Sequence, residues 1–233
     1  MDIVHHFIER GQGKPLILLH GNGEDCTYFA NQMDAFAAYF HVYAVDTRGH
    51  GETPRGEEPF TIRQFADDLL GFMDAQGMTT AHILGFSDGG NIALTFALRY
   101  PKRLERLVLN GANLSPAGVK RTVQIPIEAG YRIARFRASM GANGKGKSAE
   151  FVLRAELLGL MVNDPNIPLE DLARVQAETL VIAGTNDMIK DGHTRSIAQG
   201  IPHATLAIIE GDHFIASKNP EAFNGAVLSF LLS

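Results

Sequence analysis

Residues 81–100 read AHILGFSDGGNIALTFALRY, and this stretch decides the fold. It begins with a short apolar run, Ala81 to Gly85, of the kind expected for a strand buried on both faces of a sheet. The run from Gly89 to Tyr100 has a helical pattern and is stopped by Pro101. Ser87 lies between the two in the pattern Gly-x-Ser-x-Gly, where a strained strand-to-helix turn requires small neighbours. The stretch therefore predicts a serine nucleophile on a strand–turn–helix unit.

Short apolar runs alternate with helical patterns on both sides of this unit. We expect further strands at residues 15–20, 40–46, 106–110, 179–184 and 205–209. Residues 61–76 carry apolar side chains at the spacing of an amphipathic helix. Asn219 and Pro220 are typical of the start of a last helix. This alternation predicts an α/β fold with a mostly parallel sheet flanked by helices.

The alternation of strand and helix patterns stops between residues 112 and 171, where helical patches occur without a clear strand. We expect a helical cap there, inserted into a single α/β core that residues 1–111 and 172–233 form. Residues 117–154 carry eight basic and two acidic side chains, which indicates either a solvated basic face or a preference for anionic substrates. GANGKGKS at 141–148 matches the phosphate-loop pattern, but no buried strand precedes it as that loop requires. We expect a surface loop there.

The composition excludes several classes of protein. A chain of 233 residues fits one domain, and a formal net charge of −5 does not suggest a nucleic-acid partner. The single cysteine, Cys26, excludes an internal disulfide framework and suits a reducing cytoplasm. We see no secretory signal pattern and no apolar run of the roughly 18–20 residues that a membrane helix needs. We expect a cytoplasmic protein with a small-molecule substrate and without a membrane partner, cofactor or metal.

The serine needs a base, because its hydroxyl is a weak nucleophile at its own pKa. The chain has nine histidines, so position must choose among them. His213 lies in EGDHF directly after the last predicted strand, where a loop can return to the carboxyl edge of the sheet. His193 and His203 are expected at the surface. Another group of histidines falls in or beside predicted strands, where packing or solvent exposure accounts for them without catalysis: His5, His6, His41 and His82.

An acid should hold the imidazole in one tautomer and stabilise the imidazolium that forms during attack. Asp187 follows the predicted strand 179–184 in the sequence GTND, which places it beside the same edge as His213. Its rivals are Asp191, Asp171 and Asp164. Asp191 has a simpler explanation as a helix cap before GHTRSIA. We therefore predict the catalytic set Ser87, His213 and Asp187.

Five motifs occur in a fixed order: HGNG at 20–23, DTRGHG at 46–51, GFSDGG at 85–90, GTND at 184–187 and GDHF at 211–214. With these motifs the chain resembles the α/β-hydrolase superfamily, in the esterase and lipase branch with a helical cap. GFSDGG followed by LVLNGAN is also similar, more loosely, to the biphenyl hydrolase-like branch that includes valacyclovir hydrolase. The chain departs from the common pattern in having one edge strand before HGNG.

The HGNG motif and the residue after the nucleophile predict an oxyanion hole made by the backbone N–H groups of Asn22 and Asp88. Phe86, Gly23 and the Asp88 side chain are candidate substrate contacts. The Asp88 carboxylate could select an ammonium-bearing substrate, or it could interact only with the helix dipole. DTRGHG is expected to tie loops together and to carry no chemistry.

These residues predict acyl transfer to water through an acyl-enzyme, with a small carboxylic ester as the substrate. The same triad also serves hydrolysis of lactones, thioesters and carbon–carbon bonds, cofactor-free perhydrolysis, and acyl transfer to another acceptor. A further alternative from another class is a hydrolase-like receptor or signalling protein that turns over slowly. The sequence leaves the oligomeric state and the acyl-chain preference open.

Overall fold

The computed structural model describes residues 2–140 and 147–233. Within these ranges seven strands form a single sheet in the order β1-β3-β2-β4-β5-β6-β7. The strands are β1 (Phe7–Arg10), β2 (Pro15–Leu19), β3 (His41–Val45), β4 (Ala81–Phe86), β5 (Leu104–Asn110), β6 (Glu178–Gly184) and β7 (Ala204–Ile209). Only the edge strand β1 runs antiparallel to its neighbour in this sheet. The predicted fold class, an α/β fold with a mostly parallel sheet, is confirmed.

Helices connect and cover these strands. They are α1 (Ala30–Ala37), α2 (Ile62–Ala75), α3 (Asp88–Arg99), α4 (Arg121–Met140), α5 (Lys147–Asn163), α6 (Asp191–Gly200), α7 (Ile215–Lys218) and α8 (Pro220–Leu231). Thr61 caps α2, since its hydroxyl oxygen accepts a hydrogen bond from the backbone N–H of Gln64 at 3.1 Å. Of the helices in the described ranges, none is long and apolar enough to cross a membrane.

Two hydrophobic layers lie on opposite faces of the sheet. Along β2, Ile17 and Leu19 pack with α2 and α3, whereas Leu16 and Leu18 pack with α1 and α8. All four side chains are buried. The central strands are therefore apolar throughout, because each successive side chain enters one layer or the other.

The backbones of β2, β4 and α3 touch where β4 turns into α3. A Cβ atom on Gly85 would lie 2.1 Å from the carbonyl oxygen of Gly89, and one on Gly89 would lie 2.1 Å from that of Leu19. Both distances are far shorter than a van der Waals contact. Glycine is required at both positions for this reason, and the turn is held at a fixed distance from the sheet.

Helices α4 and α5 belong to the segment of chain that connects β5 to β6, and they pack against each other. They occupy most of residues 112–171, for which the sequence predicts a helical cap; the division into core and cap stays a prediction. The phosphate-loop-like stretch 141–148 lies outside the described residues, apart from the backbone at the start of α5.

The DTRGHG segment carries a buried ion pair. The Arg48 guanidinium is fully buried and donates to both carboxylate oxygens of Asp68 at 2.7 Å. It also donates to Asp2 at 2.6 Å and 3.0 Å. A buried guanidinium needs such compensation because the loss of its hydration is unfavourable. This segment therefore joins the loop after β3 to α2 and to the start of the chain.

We expect Gly85→Ala to unfold the protein or to lower its free energy of unfolding by more than about 4 kcal/mol, since the new methyl group would overlap backbone. Gly225→Ala is the matched control. Gly225 lies exposed inside α8, where a Cβ atom would have no heavy atom within 4 Å, so the alanine should stabilise by about 0.5–1 kcal/mol. Urea unfolding of both variants measures the difference; equal effects would contradict the backbone contact.

Candidate active site

Ser87 occupies the turn between β4 and α3 in a strained backbone conformation. Its φ of 54° and ψ of −117° make it the one non-glycine residue with a positive φ in the described part of the chain. Its N–H donates to the carbonyl of Asn110, at the end of β5, at 2.8 Å. Strain of this kind persists only where surrounding structure enforces it. Here the neighbouring strand and the glycine contacts hold the serine at the carboxyl edge of the sheet.

His213 and Asp187 come together at the same edge. The Nδ1–H of His213 donates to Asp187 Oδ1 at 2.7 Å, and both side chains are buried. Asp187 Oδ1 also accepts from the N–H of Ile189 at 2.9 Å. Burial opposes ionisation of Asp187, but the hydrogen bond and charge of His213 outweigh it and lower the pKa of the carboxyl. A neutral His213 ring held in this way carries its proton on Nδ1 and presents Nε2 as an acceptor.

The other ring nitrogen of His213 is available for proton transfer. Nε2 is buried and has no hydrogen-bond partner among residues 2–140 and 147–233. Ser87 and His213 both line one cavity of about 120 Å³. The backbone of Gly111 packs closely against the His213 ring, since a Cβ atom at this residue would lie 2.6 Å from His213 Cε1. Sequence analysis missed Gly111, although a glycine directly after β5 with φ of 63° is a signal of close approach.

The two predicted oxyanion donors lie at the start of α3 and in the loop after β2. Asp88 is the first residue of α3, where a backbone N–H has no acceptor within the helix. Asn22 lies in the loop after β2. His20 holds that loop: its Nδ1 is 2.8 Å from the carbonyl of Gly21, and its Nε2 accepts from the N–H of Thr47 at 3.1 Å. The arrangement suits an oxyanion hole, whose catalytic role stays a prediction.

The Asp88 carboxylate is engaged by two amides. Its Oδ2 accepts from Asn22 Nδ2 at 2.9 Å, and its Oδ1 accepts from Asn91 Nδ2 at 3.2 Å. Burial raises the pKa of the Asp88 carboxyl, and these two hydrogen bonds oppose the shift. The same Asn22 Nδ2 donates to the carbonyl of Leu157 on α5 at 2.8 Å. The Asp88 side chain thus joins a polar network and is not among the residues that line the cavity.

The cavity beside Ser87 is lined by the loop after β2, the turn after β4, one residue of α5, and the loops after β6 and β7. Its lining residues are Gly21, Asn22, Glu24, Phe86, Ser87, Met161, Met188, His213 and Phe214. The candidate contact Phe86 is among them, and Gly23 is not. Sequence analysis missed Glu24, Met161 and Met188. A carboxylate directly after the HGNG motif was the available signal for Glu24.

The rivals of Asp187 lie away from His213. Asp191 is exposed and pairs with Arg195 at 2.9 Å. Asp191 is also the first residue of α6, and Lys190 is the cap, so the prediction of Asp191 as the cap is wrong by one residue. Asp171 pairs with Arg174 at 3.2 Å. Asp164 lines a separate cavity between α4, α5 and residues 60–61.

The surface placement predicted for His193 is also wrong. Its Nε2 accepts from the N–H of Leu114 at 2.9 Å, so the ring is half-buried against the segment after β5. The pattern of α6 gives no hint of this contact, because the partner lies 79 residues earlier in the chain.

One group of side chains has metal-ligand chemistry. Donor atoms of His6, Cys26 and Asp46 lie within 4.8 Å of one another. Asp46 already accepts from His6 Nδ1 at 2.7 Å and from the N–H of Cys26 at 2.6 Å. Burial raises the pKa of the Cys26 thiol to about 12, which disfavours the thiolate that binds metals. We assign this group to loop packing.

Comparison with known proteins identifies the family. Residues 14–134 match the family model described as alpha/beta hydrolase fold. The chain belongs to the α/β-hydrolase family. This hydrolase is 31% identical to the provisionally named carbamate hydrolase RutD of Caulobacter sp. (strain K31), over 99% of this chain and 96% of the relative.

Two further comparisons show the range of chemistry among its relatives. The hydrolase is 26% identical to the 2-hydroxy-6-oxo-6-phenylhexa-2,4-dienoate hydrolase of Comamonas testosteroni, over 99% of this chain and 92% of the relative. Among solved structures it resembles a thermophilic esterase from Thermogutta terrifontis with a TM-score of 0.80 and 25% identity, covering 98% and 93% of the two chains. The predicted membership of the α/β-hydrolase superfamily is confirmed.

Asp187→Asn should lower kcat on p-nitrophenyl acetate by about 10³–10⁴-fold, because an amide neither fixes the imidazole tautomer nor stabilises the imidazolium. Asp191→Asn makes the same chemical change at an exposed ion pair and should alter kcat by less than about twofold. Wild-type turnover by Asp187→Asn would show that another carboxylate supports His213.

Proposed function

We propose that this chain is a serine hydrolase that cleaves small carboxylic esters through an acyl-enzyme. The observation that carries the proposal is the conjunction of Ser87 and an unpartnered His213 Nε2 in one cavity, with Asp187 hydrogen-bonded behind the imidazole. A strained serine that shares a cavity with an imidazole whose Nε2 has no partner, and whose Nδ1 is held by a carboxylate, supports nucleophilic catalysis. The similarity to an esterase structure supports the same class of substrate.

In the proposed mechanism, Ser87 Oγ attacks the ester carbonyl while His213 Nε2 takes its proton. Asp187 stabilises the imidazolium that results, and its lowered pKa keeps it ionised for this role. The N–H groups of Asn22 and Asp88 donate to the oxyanion; such a donor contributes about 3 kcal/mol to transition-state stabilisation. His213 then protonates the leaving alcohol. Water, activated by the same nitrogen, releases the acid from Ser87.

We further propose that the enzyme acts in the cytoplasm on a small molecule, without a cofactor, metal, nucleic-acid or membrane partner. The single cysteine and the acidic net charge support this proposal. A second candidate substrate class is a small carbamate, which the 31% identity to carbamate hydrolase RutD favours. Attack by Ser87 on a carbamate carbonyl uses the same groups, so methyl carbamate and methyl acetate should be compared directly.

Ser87→Ala should lower p-nitrophenyl acetate hydrolysis by on the order of 10⁴-fold or more. A fluorophosphonate probe should label Ser87, as located by mass spectrometry, and leave the variant unlabelled. Ser196→Ala is the control, since the Ser196 hydroxyl is exposed on α6 and donates only to the carbonyl of Gly192. Ligand-dependent stabilisation without turnover or labelling would overturn the proposal in favour of a receptor.

The enzyme should prefer short acyl chains. Pockets for drug-sized ligands have volumes of about 300–1,000 Å³, whereas the cavity beside Ser87 has about 120 Å³. We expect kcat/KM to fall by at least about tenfold from p-nitrophenyl acetate to the octanoate. Met161→Ala should enlarge the cavity and reduce that ratio. An octanoate preference in the wild type would contradict the small cavity.

A further inference from the structure

One carboxyl group in the Ser87 cavity has no part in the proposed triad. Glu24 lies in the loop after β2 and is half-buried. Its Oε2 accepts from the N–H of Gly21 at 3.2 Å. Within residues 2–140 and 147–233, Oε1 makes no hydrogen bond. The carboxyl is thus tethered by one oxygen, and the other remains available to a ligand.

The charge balance around Glu24 is unusual for a site that would bind an anion. Among the lining residues, the ionisable side chains besides the Ser87 hydroxyl are Glu24 and His213; none is lysine or arginine. The arginines of the predicted cap do not line this cavity. A substrate carboxylate beside Glu24 would therefore meet a like charge without a compensating cation.

Resting on the proposed function, we infer that Glu24 is a specificity-determining residue that excludes acyl groups carrying a carboxylate. The enzyme accepts neutral or cationic short acyl groups. Like-charge repulsion in a partly buried site is strong enough to decide between substrates of equal shape, because the surroundings screen it less than water does. This substrate class differs from the dienoate named for the Comamonas testosteroni relative.

The exclusion should strengthen as the pH rises. Burial raises the pKa of Glu24 to about 7, so the carboxyl is largely neutral at pH 6 and ionised at pH 9. The groups that face it are the imidazole of His213, the carboxyl of Asp25 and the phenol of Tyr28, while the lining residues from α5 and the loop after β6 are the uncharged Met161 and Met188.

The test uses two methyl esters of equal shape, monomethyl malonate and its neutral amide analogue, methyl malonamate. At pH 8 the ratio of kcat/KM for malonate to that for malonamate should rise about tenfold or more in Glu24→Gln. Glutamine keeps the size of the side chain and an oxygen that can accept from the N–H of Gly21, and it removes the negative charge. Asp25→Asn is the matched control: it removes the adjacent charge, preserves the cap that accepts from Thr27, and does not line the cavity. Because Glu24 is already largely ionised at pH 8, the ratio in Asp25→Asn should stay close to that of wild type.

The pH dependence of this ratio in the wild type needs no variant. The ratio should fall from pH 6 to pH 9 in wild type, and it should fall by much less in Glu24→Gln, because residue 24 gains a negative charge over this range in wild type alone. An unchanged ratio in Glu24→Gln, an equal rise in Asp25→Asn, or a flat wild-type profile would each overturn the inference while ester hydrolysis stands. Absence of Ser87-dependent hydrolysis of methyl malonamate and of p-nitrophenyl acetate would instead overturn the proposed function, and this inference with it.

Discussion

Direct backbone contact between β2, β4 and α3 is the constraint on which the site depends. The chain turns from strand to helix where neither Gly85 nor Gly89 leaves space for a Cβ atom. This contact holds Ser87 with a positive φ and directs it to the carboxyl edge of the sheet. The loops after β2, β5, β6 and β7 reach the same edge, so His213 and Asp187 reach the edge that carries the serine without any long excursion of the chain.

Much of this arrangement could be predicted because parallel strands place their carboxyl ends together. Once each motif is assigned to the end of a strand, the order of strands brings Ser87, Asp187 and His213 to one edge. Apolar runs likewise located β2 to β7 to within a residue or two, whereas the mostly exposed edge strand β1 had no predicted bounds. The sheet and the strand ends that carry Ser87, Asp187 and His213 were therefore accessible from local patterns, whereas the cavity residues Glu24, Met161 and Met188 were not.

The directions of individual side chains were not accessible in the same way. The Asp88 carboxylate is held by Asn22, which lies 66 residues earlier, and the His193 ring accepts from Leu114, which lies 79 residues earlier. Whether Glu24 faces solvent or the cavity depends on how the loop after β2 folds, with Gly21 lying close to both the Glu24 carboxyl and the Phe86 ring. Such contacts are set by tertiary packing, and neither hydrophobic periodicity nor motif spacing contains them.

The Asn22 amide links the loop after β2 to α3 and to α5. Its nitrogen donates to Asp88 on α3 and to the carbonyl of Leu157 on α5, which uses both of its hydrogens. Outward movement of α5 would remove one acceptor of this amide and leave the loop after β2 less constrained. Thermodynamic linkage makes this effect reciprocal. A ligand that ordered this loop would therefore also favour the packed position of α5, so the position of the helix and the order of the loop would be energetically coupled.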